Sequence, residues 1–193
     1  MKVKTHQVIA QKAYELIRSH LPMTFNKKAI SLGASMPDLA PHRRFKAHNI
    51  KIAAKEWVAF KAFVHKRRYT TWMVSYAGGI MSHYISDTFC YAHNFKDLSL
   101  REHRKYEVYM HKHIKELVNH IEAQLIFEKW HILREKGIDD YIYIENENYK
   151  KEIELCQTID ERVALDIHNA VLNTAVWMLE IASVIYPHLA KEH

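Results

Sequence analysis

One stretch of the chain concentrates side chains that bind divalent metal ions. His83 and Asp87 are four residues apart, so on a helix they lie on the same face, one turn from each other. His93 follows six residues after Asp87, and His103 and Glu107 repeat the spacing of four. Imidazole nitrogen and carboxylate oxygen are the ligands that zinc accepts where no thiolate is offered. One such pair is a common coincidence, but two pairs flanking a third histidine within 25 residues predict a metal site.

Three further candidate ligands precede this stretch. Asp38 ends the segment 33–38, whose sequence Gly-Ala-Ser-Met-Pro-Asp is typical of a loop. His6 lies near the start of the first predicted helix, and His48 lies where the next one opens. The chain has 15 histidines among its 193 residues, and histidine is the commonest side-chain metal ligand. Eight candidate ligands on helix faces or near helix ends are too many to be accidental.

The elements that position these residues are predicted to be helices. Only four glycines and four prolines are present, too few for a turn-rich all-β protein, and a 48% hydrophobic content is ordinary for a globular one. A length of 193 residues fits one domain. The sequence therefore predicts a single all-α domain, residues 1–193, folded as a helical bundle.

Hydrophobic periodicity places five helices along the chain. The first begins at Thr5, a candidate N-cap, and the second begins near residue 49. The others are expected at 71–89, at 99–136 with Gly137 as the stop, and at 160–186. The segment 138–157 is charged and rich in tyrosine, and its pattern predicts no particular structure.

Charge and hydropathy bear on partners and location. The net charge of +6 favours anionic partners, although a lysine-rich surface explains it equally well. The uncharged run 70–86 contains polar residues and a glycine pair, which make it a poor membrane span. The first residues lack the apolar core of a signal peptide, and Cys90 and Cys156 suggest reduced thiols that serve packing. A cytoplasmic, soluble protein is expected.

The order of the candidate ligands resembles that of the zinc-dependent phospholipase C family, whose superfamily includes the fungal single-strand-specific nucleases. The residues that carry the resemblance are His6, the segment 33–38 ending in Asp38, His48, the motif His83-x3-Asp87-x5-His93 and the motif His103-x3-Glu107. The resemblance extends over roughly residues 1–110, and the remainder is similar only as helical scaffold. It implies an all-α fold around a zinc cluster.

The resemblance also implies a ligand set of two or three zinc ions. One ion would be held by Asp38, His48, His83 and Asp87, and a second by His93, His103 and Glu107. A third would be held by His6, a bridging Asp87, and the amine and carbonyl of the first residue, here Met1. In the family a water activated at this cluster attacks phosphorus, and Asp38 is implied to orient or deprotonate it.

The sequence departs from the choline-specific members of the family. Phe45 stands where they carry one aromatic residue of a headgroup box, but Leu39 replaces the other, and no acidic residue precedes His6. Quaternary ammonium recognition requires a cage of aromatic faces, so phosphatidylcholine is disfavoured as a substrate. The expected substrate is a phosphoester such as a phospholipid headgroup, a nucleotide or another small diester. Neither stable membrane insertion nor an obligate nucleic-acid partner is expected.

Several alternatives remain open at this level. The leading hypothesis is a zinc-dependent phosphodiesterase similar to phospholipase C, with a nuclease or nucleotide phosphatase as the second. A zinc-stabilised module without catalysis is the third, against which the presence of Asp38 argues. An HD-type phosphohydrolase needs an adjacent His-Asp pair, which the sequence lacks. His42 with Arg43 and Arg44 either meets a substrate phosphate or lies on a solvated loop, whereas solvated or packing roles are favoured for His111 and His113.

Overall fold

The computed structural model describes residues 1–44, 50–66, 69–95, 98–118 and 121–187. Two predicted site residues, Phe45 and His48, lie outside these ranges. The described residues form helices and no strand, so the predicted all-α class is confirmed. The α-helices are α1 Val3–Ile17, α2 Lys27–Leu39, α3 Pro41–Arg44, α4 Ile50–Lys66, α5 Thr71–Thr88, α6 Tyr91–Asn94, α7 Leu100–Leu117, α8 Ala123–Lys136, α9 Ile138–Leu155 and α10 Ile159–Ile185. A short 3-10 turn, Arg18–His20, follows α1.

Two helices, α5 and α10, form the centre of the protein. Every residue of 78–88 in α5 and of 169–179 in α10 is buried. These segments have no solvent-exposed face, because neighbouring helices surround them on all sides. α5 packs against α1, α2, α4 and α10, while α10 also contacts α7, α8 and α9. The metal-ligand motif of α5 is therefore placed in the core.

Glycines allow α2 and α5 to approach each other closely. A Cβ atom added to Gly33 would lie 2.1 Å from the carbonyl oxygen of Tyr76, and one added to Gly79 would lie 2.2 Å from that of Ile30. Only residues without a side chain fit at this crossing. The contact directs the last turn of α2, which carries Asp38, towards His83 on α5.

Two predictions about the first 40 residues are wrong. The segment 33–38, predicted as a loop, lies inside α2. Gly33 is used there for helix packing, and Pro37 lies two residues before the end of the helix, where its ring removes one helical hydrogen bond. Thr5 is not the N-cap of α1: Lys2 holds that position, and Thr5 is buried in the first turn.

The middle of the chain also differs from the prediction. The helix expected over 99–136 is two helices, α7 and α8, and α8 ends at Gly137 with a positive φ of 81°. No glycine or proline marks the break between them. The unassigned segment 138–157 contains α9, whose buried residues include Tyr141, Tyr149 and Ile153. The helices predicted at 71–89 and 160–186 are confirmed as α5 and α10.

Two further observations concern the cysteines and the hydropathy of the helices. Cys90 is buried, Cys156 is half-buried, and both are free thiols. Among the described helices, none combines the length and the apolar character needed to cross a bilayer.

Candidate metal centre

The first ligand triad joins α1 to α5. His6, His83 and Asp87 each offer an atom, and these atoms lie within 4.8 Å of one another. Nε2 of His83 lies 3.3 Å from Oδ2 of Asp87, as expected for a pair four residues apart on a helix. Nε2 of His6 lies 3.4 Å from the other carboxylate oxygen, Oδ1. All three side chains are fully buried, and the two imidazole rings stack with their centroids 3.7 Å apart while Asp87 contacts the Nε2 atom of each.

Hydrogen bonds to the backs of the two rings fix their orientation. Nδ1 of His83 donates to the carbonyl oxygen of Ala34 at 2.8 Å. The hydroxyl of Ser86 donates to the carbonyl of His83 at 2.9 Å and so accepts from Nδ1 of His6 at 2.7 Å. Both rings therefore carry a proton on Nδ1 and direct Nε2 towards Asp87, which is the second-shell arrangement of metal-binding histidines. No residue pattern pointed to the roles of Ser86 and the Ala34 carbonyl.

The first triad fits a divalent metal ion. Nε2 of His6 is buried and has no hydrogen-bond partner among the described residues, although buried polar atoms are rarely left unsatisfied. Burial, and next the neighbouring His83, hold the pKa of His6 well below its ordinary value, so the ring is neutral. Burial alone would raise the pKa of Asp87, but His93 and the Met1 amine lower it well below the ordinary range. A neutral His6 ring beside a charged Asp87 carboxylate is the protonation state that a metal requires of these two ligands.

The second triad lies on α6 and α7. His93, His103 and Glu107 also offer atoms within 4.8 Å of one another. Nε2 of His103 lies 2.9 Å from Oε1 of Glu107, and Nε2 of His93 lies 3.7 Å from the same oxygen. A capping box between Ser99 and Glu102 starts α7 immediately before His103. These ligands are partly exposed, so this triad is open to solvent where the first is closed.

The Met1 amine lies between the two triads. Its nitrogen is 3.0 Å from Oδ1 of Asp87, 3.1 Å from Oε1 of Glu107 and 2.9 Å from Nε2 of His93. Burial alone would lower the pKa of this amine, but Asp87 and other negative groups raise it to about 11. In Glu107 burial is likewise outweighed by hydrogen bonds and by the amine, so its pKa falls to about 2. The ammonium group thus supplies positive charge that the clustered carboxylates need.

Asp38 lies at the rim of the first triad. Its Oδ1 is 3.7 Å from Nε2 of His83, and its side chain is 27% exposed, whereas that of His83 is fully buried. The structure thus brings seven predicted side chains and the Met1 amine together, and His48 and Phe45 lie outside the described residues.

Three described histidines to which no metal role was given have other surroundings. His111 contacts the hydroxyl of Thr5 through Nδ1 at 3.2 Å, and His113 pairs with Glu116 at 3.6 Å. His42 is exposed on α3. None of these three belongs to a ligand triad of the described residues.

A comparison with protein families decides the classification. The family model described as zinc dependent phospholipase C matches residues 5–153. The chain belongs to the zinc dependent phospholipase C family. The match extends beyond residues 1–110, over which the sequence resemblance was noted, and includes nearly all of α9. No curated protein and no solved structure matches the chain significantly.

Proposed function

We propose that this zinc dependent phospholipase C family member is a zinc-dependent phosphodiesterase. The observation that carries the proposal is the pair of ligand triads joined at Asp87, beside a partly exposed carboxylate, Asp38. A structural zinc site is closed by four protein ligands, whereas a catalytic one keeps an open position. Membership of the family supports the same activity.

The residues fall into a buried floor and an exposed rim. The side chains of His6, His83 and Asp87 are fully buried. Those of Asp38 and His103 are each 27% exposed. A substrate would therefore approach from the rim, with its phosphate over the ligands and its organic groups in solvent. This gradient favours catalysis over a stabilising role, because a metal that only stabilises the fold needs no access.

The ligands are assigned to ions as part of the proposal. His83, Asp87, Asp38 and His48 would hold one zinc; His93, His103 and Glu107 a second; and His6, Asp87 and the Met1 amine a third. The Met1 amine is protonated in the structure, so it would have to lose its proton before it could bind metal. Zinc bound at these sites lowers the pKa of water and stabilises the charge that develops on a phosphoryl group.

Asp38 is proposed as the general base. Its carboxylate is accessible at the rim and faces the Nε2 atom of His83 rather than Nδ1, which bonds to Ala34. It would accept a proton from the attacking water as the new P–O bond forms. The P–O bond to the leaving group then breaks, and the released alcohol takes up a proton. Removal of a general base commonly lowers turnover by about 100-fold or more.

A pair of matched variants tests the proposal. Asp38→Asn keeps the size of the side chain and removes its charge, and it should lower hydrolysis of a chromogenic phosphodiester by about 100-fold with unchanged helix content. Asp139→Asn makes the same change at an exposed position on α9, which carries no ligand, and should leave turnover unchanged. Equal activity in the two variants would remove Asp38 from the catalytic machinery.

The substrate class is tested on the unmodified protein. Because the headgroup box is incomplete, a small phosphodiester should be hydrolysed faster than phosphatidylcholine. The proposed phosphodiesterase activity also predicts faster hydrolysis of the small diester than of a phosphomonoester or single-stranded DNA. Preferred cleavage of DNA would establish the nuclease alternative instead. Zinc binding without hydrolysis of any of these substrates would contradict the proposal and favour a zinc-stabilised module.

A further inference from the structure

One buried carboxylate outside the metal centre has an unusual set of partners. Asp166 of α10 is fully buried. Its Oδ2 accepts hydrogen bonds from the backbone N–H of Tyr91 at 2.9 Å and from the hydroxyl of Tyr106 at 2.8 Å. Its Oδ1 accepts from the hydroxyl of Tyr149 at 2.5 Å. Burial of a carboxylate is costly unless its oxygens are satisfied, and here three donors from three other helices satisfy them.

The first of these hydrogen bonds fixes the helix that carries His93. α6 begins at Tyr91, and its N-cap residue, Cys90, makes no side-chain capping bond. The free N–H groups of a first helical turn need an acceptor, and Asp166 supplies one from a different helix. Because α6 has only four residues, it cannot be held by its own hydrogen bonds. This anchor therefore helps to fix the position of His93, together with the hydrogen bonds that Asn94 donates to the carbonyls of Thr88 and Cys90.

The second hydrogen bond fixes the helix that carries the other two ligands. Tyr106 of α7 precedes Glu107 and follows His103 by three residues. Its hydroxyl reaches the same oxygen, Oδ2, that accepts from Tyr91. One oxygen atom of Asp166 thus joins α6 to α7, whereas Tyr149, which bonds to the other oxygen, lies on α9 and brings no ligand.

We infer that Asp166 is a positioning residue for the second triad, which holds α6 and α7 at the separation that brings His93 to His103 and Glu107. The inference rests on the proposed function only in that the triad binds zinc. Asp166 lies beyond the residues that the family model matches. It touches none of the ligand side chains in these contacts, so its effect on the metal passes through Tyr91 and Tyr106.

Two alanine variants on α10 separate this role from general stability. Asp166→Ala removes the anchor, and Asn173→Ala removes a buried acceptor two turns further along, which receives the hydroxyl of Tyr141 at 2.8 Å. Both should lower the melting temperature. Loss of a group bonded directly to a ligand weakens metal binding by about 10- to 100-fold, which sets an upper bound for a residue that acts through Tyr91 and Tyr106. Chelator competition should therefore show weaker binding of one zinc in Asp166→Ala and wild-type affinity in Asn173→Ala.

A milder pair keeps the test valid where Asp166→Ala does not fold. Tyr106→Phe and Tyr149→Phe each remove one hydroxyl from the same carboxylate. Tyr106→Phe should lower the affinity for one zinc ion. In the cobalt-substituted protein it should shift the visible absorption of one site. Tyr149→Phe should leave both unchanged. Equal zinc affinity in the two variants, whatever their stability, would overturn the inference.

The outcome is distinguishable from that of the proposed function. A wild-type protein that binds zinc and hydrolyses no phosphoester contradicts the proposed function, while the affinity difference between the tyrosine variants still supports Asp166. An active enzyme in which both variants bind zinc as the wild type does contradicts the inference alone. A wild-type protein that binds no zinc at His93, His103 and Glu107 contradicts both.

Discussion

Oδ1 of Asp87 lies 3.3 Å from Nε2 of His93, and this contact joins the two ligand triads. The other oxygen, Oδ2, lies 3.3 Å from Nε2 of His83 in the first triad. One carboxylate therefore serves both halves of the centre. The two triads should consequently respond together when Asp87 is changed and separately when a ligand of only one triad is changed.

Metal content of two variants tests this relationship. Asp87→Asn removes a ligand of two of the three proposed ions and a charge beside the second triad, so dialysed protein should retain at most about one zinc equivalent, held by His93, His103 and Glu107. His103→Ala removes a ligand of the second triad only and should lose about one equivalent while retaining the rest. The measurement is metal analysis of both variants beside the wild type. Retention of the wild-type zinc content by Asp87→Asn would show that Asp87 does not bridge the triads.

The N-terminal amine provides a second prediction. Because the Met1 nitrogen contacts Asp87, Glu107 and His93, a few residues added before Met1 would displace the amine from the centre. Protein with the extension should lose about one zinc and most of its turnover, since ions that share a site activate water better than one ion does. Helix content should not change. Equal zinc content and turnover in the extended protein and in protein whose chain starts at Met1 would exclude the amine as a ligand.

The same amine gives the metal-free protein a dependence on pH. Folding raises its pKa from 8.0 to about 11, so between these values the folded state binds the proton more tightly than the unfolded state. The stability that this group contributes is complete below pH 8 and is lost as the pH rises towards 11. The free energy of unfolding in urea should therefore fall between pH 8 and pH 9, by at most about 1.4 kcal/mol.

An acetylated N-terminus is the control for this titration. It carries no ionisable amine, so this component of the slope should be absent. The chosen range lies below the ordinary pKa of Cys90, 9.0, which burial raises further in the folded protein, so the thiol adds little there. Equal slopes in acetylated and free protein would contradict the assignment of the pH dependence to Met1.

The contact between α2 and α5 gives a prediction about adjacent glycines. A Cβ atom on Gly79 would lie 2.2 Å from the carbonyl oxygen of Ile30, whereas one on Gly78 would lie 3.5 Å from the side chain of Ile181. Gly79→Ala should therefore destabilise the protein by about 3 kcal/mol through overpacking. It should also weaken zinc binding, because the last turn of α2 carries Asp38.

Gly78→Ala is the matched control one residue away. Its new methyl group makes an ordinary van der Waals contact, and alanine favours a helix over glycine by about 1 kcal/mol. The melting temperature should stay the same or rise, with unchanged zinc binding. Similar losses in the two variants would contradict the close approach of α2 to α5 at Gly79.

The parts of the fold that local sequence determines were the predictable ones. His83 and Asp87 share a helix face because helical geometry requires it at a spacing of four. α10 was predictable because its apolar residues recur at helical spacing along its 27 residues. The resemblance to a known family supplied the grouping of His6 with Asp87, since 81 residues separate them and no local rule connects them.

The incorrect predictions arose where tertiary packing decides the local structure. Gly33 and Pro37 are typical of a loop, but here glycine fits a helix crossing and proline falls in a last turn. The break after Val118, which ends α7, carries no glycine or proline. The role of Ser86 depends on its exact orientation between two histidines, which composition and spacing do not determine.

Zinc analysis and phosphodiester hydrolysis, measured on the same preparation, test the central claim most directly. Seven side chains in two joined triads and at their rim should hold at least two zinc equivalents. A chelator should abolish turnover and lower the melting temperature, because an ion that binds only the native state stabilises it; added zinc should restore both. Less than one equivalent after zinc reconstitution, or a turnover that the chelator leaves unchanged, would contradict the account.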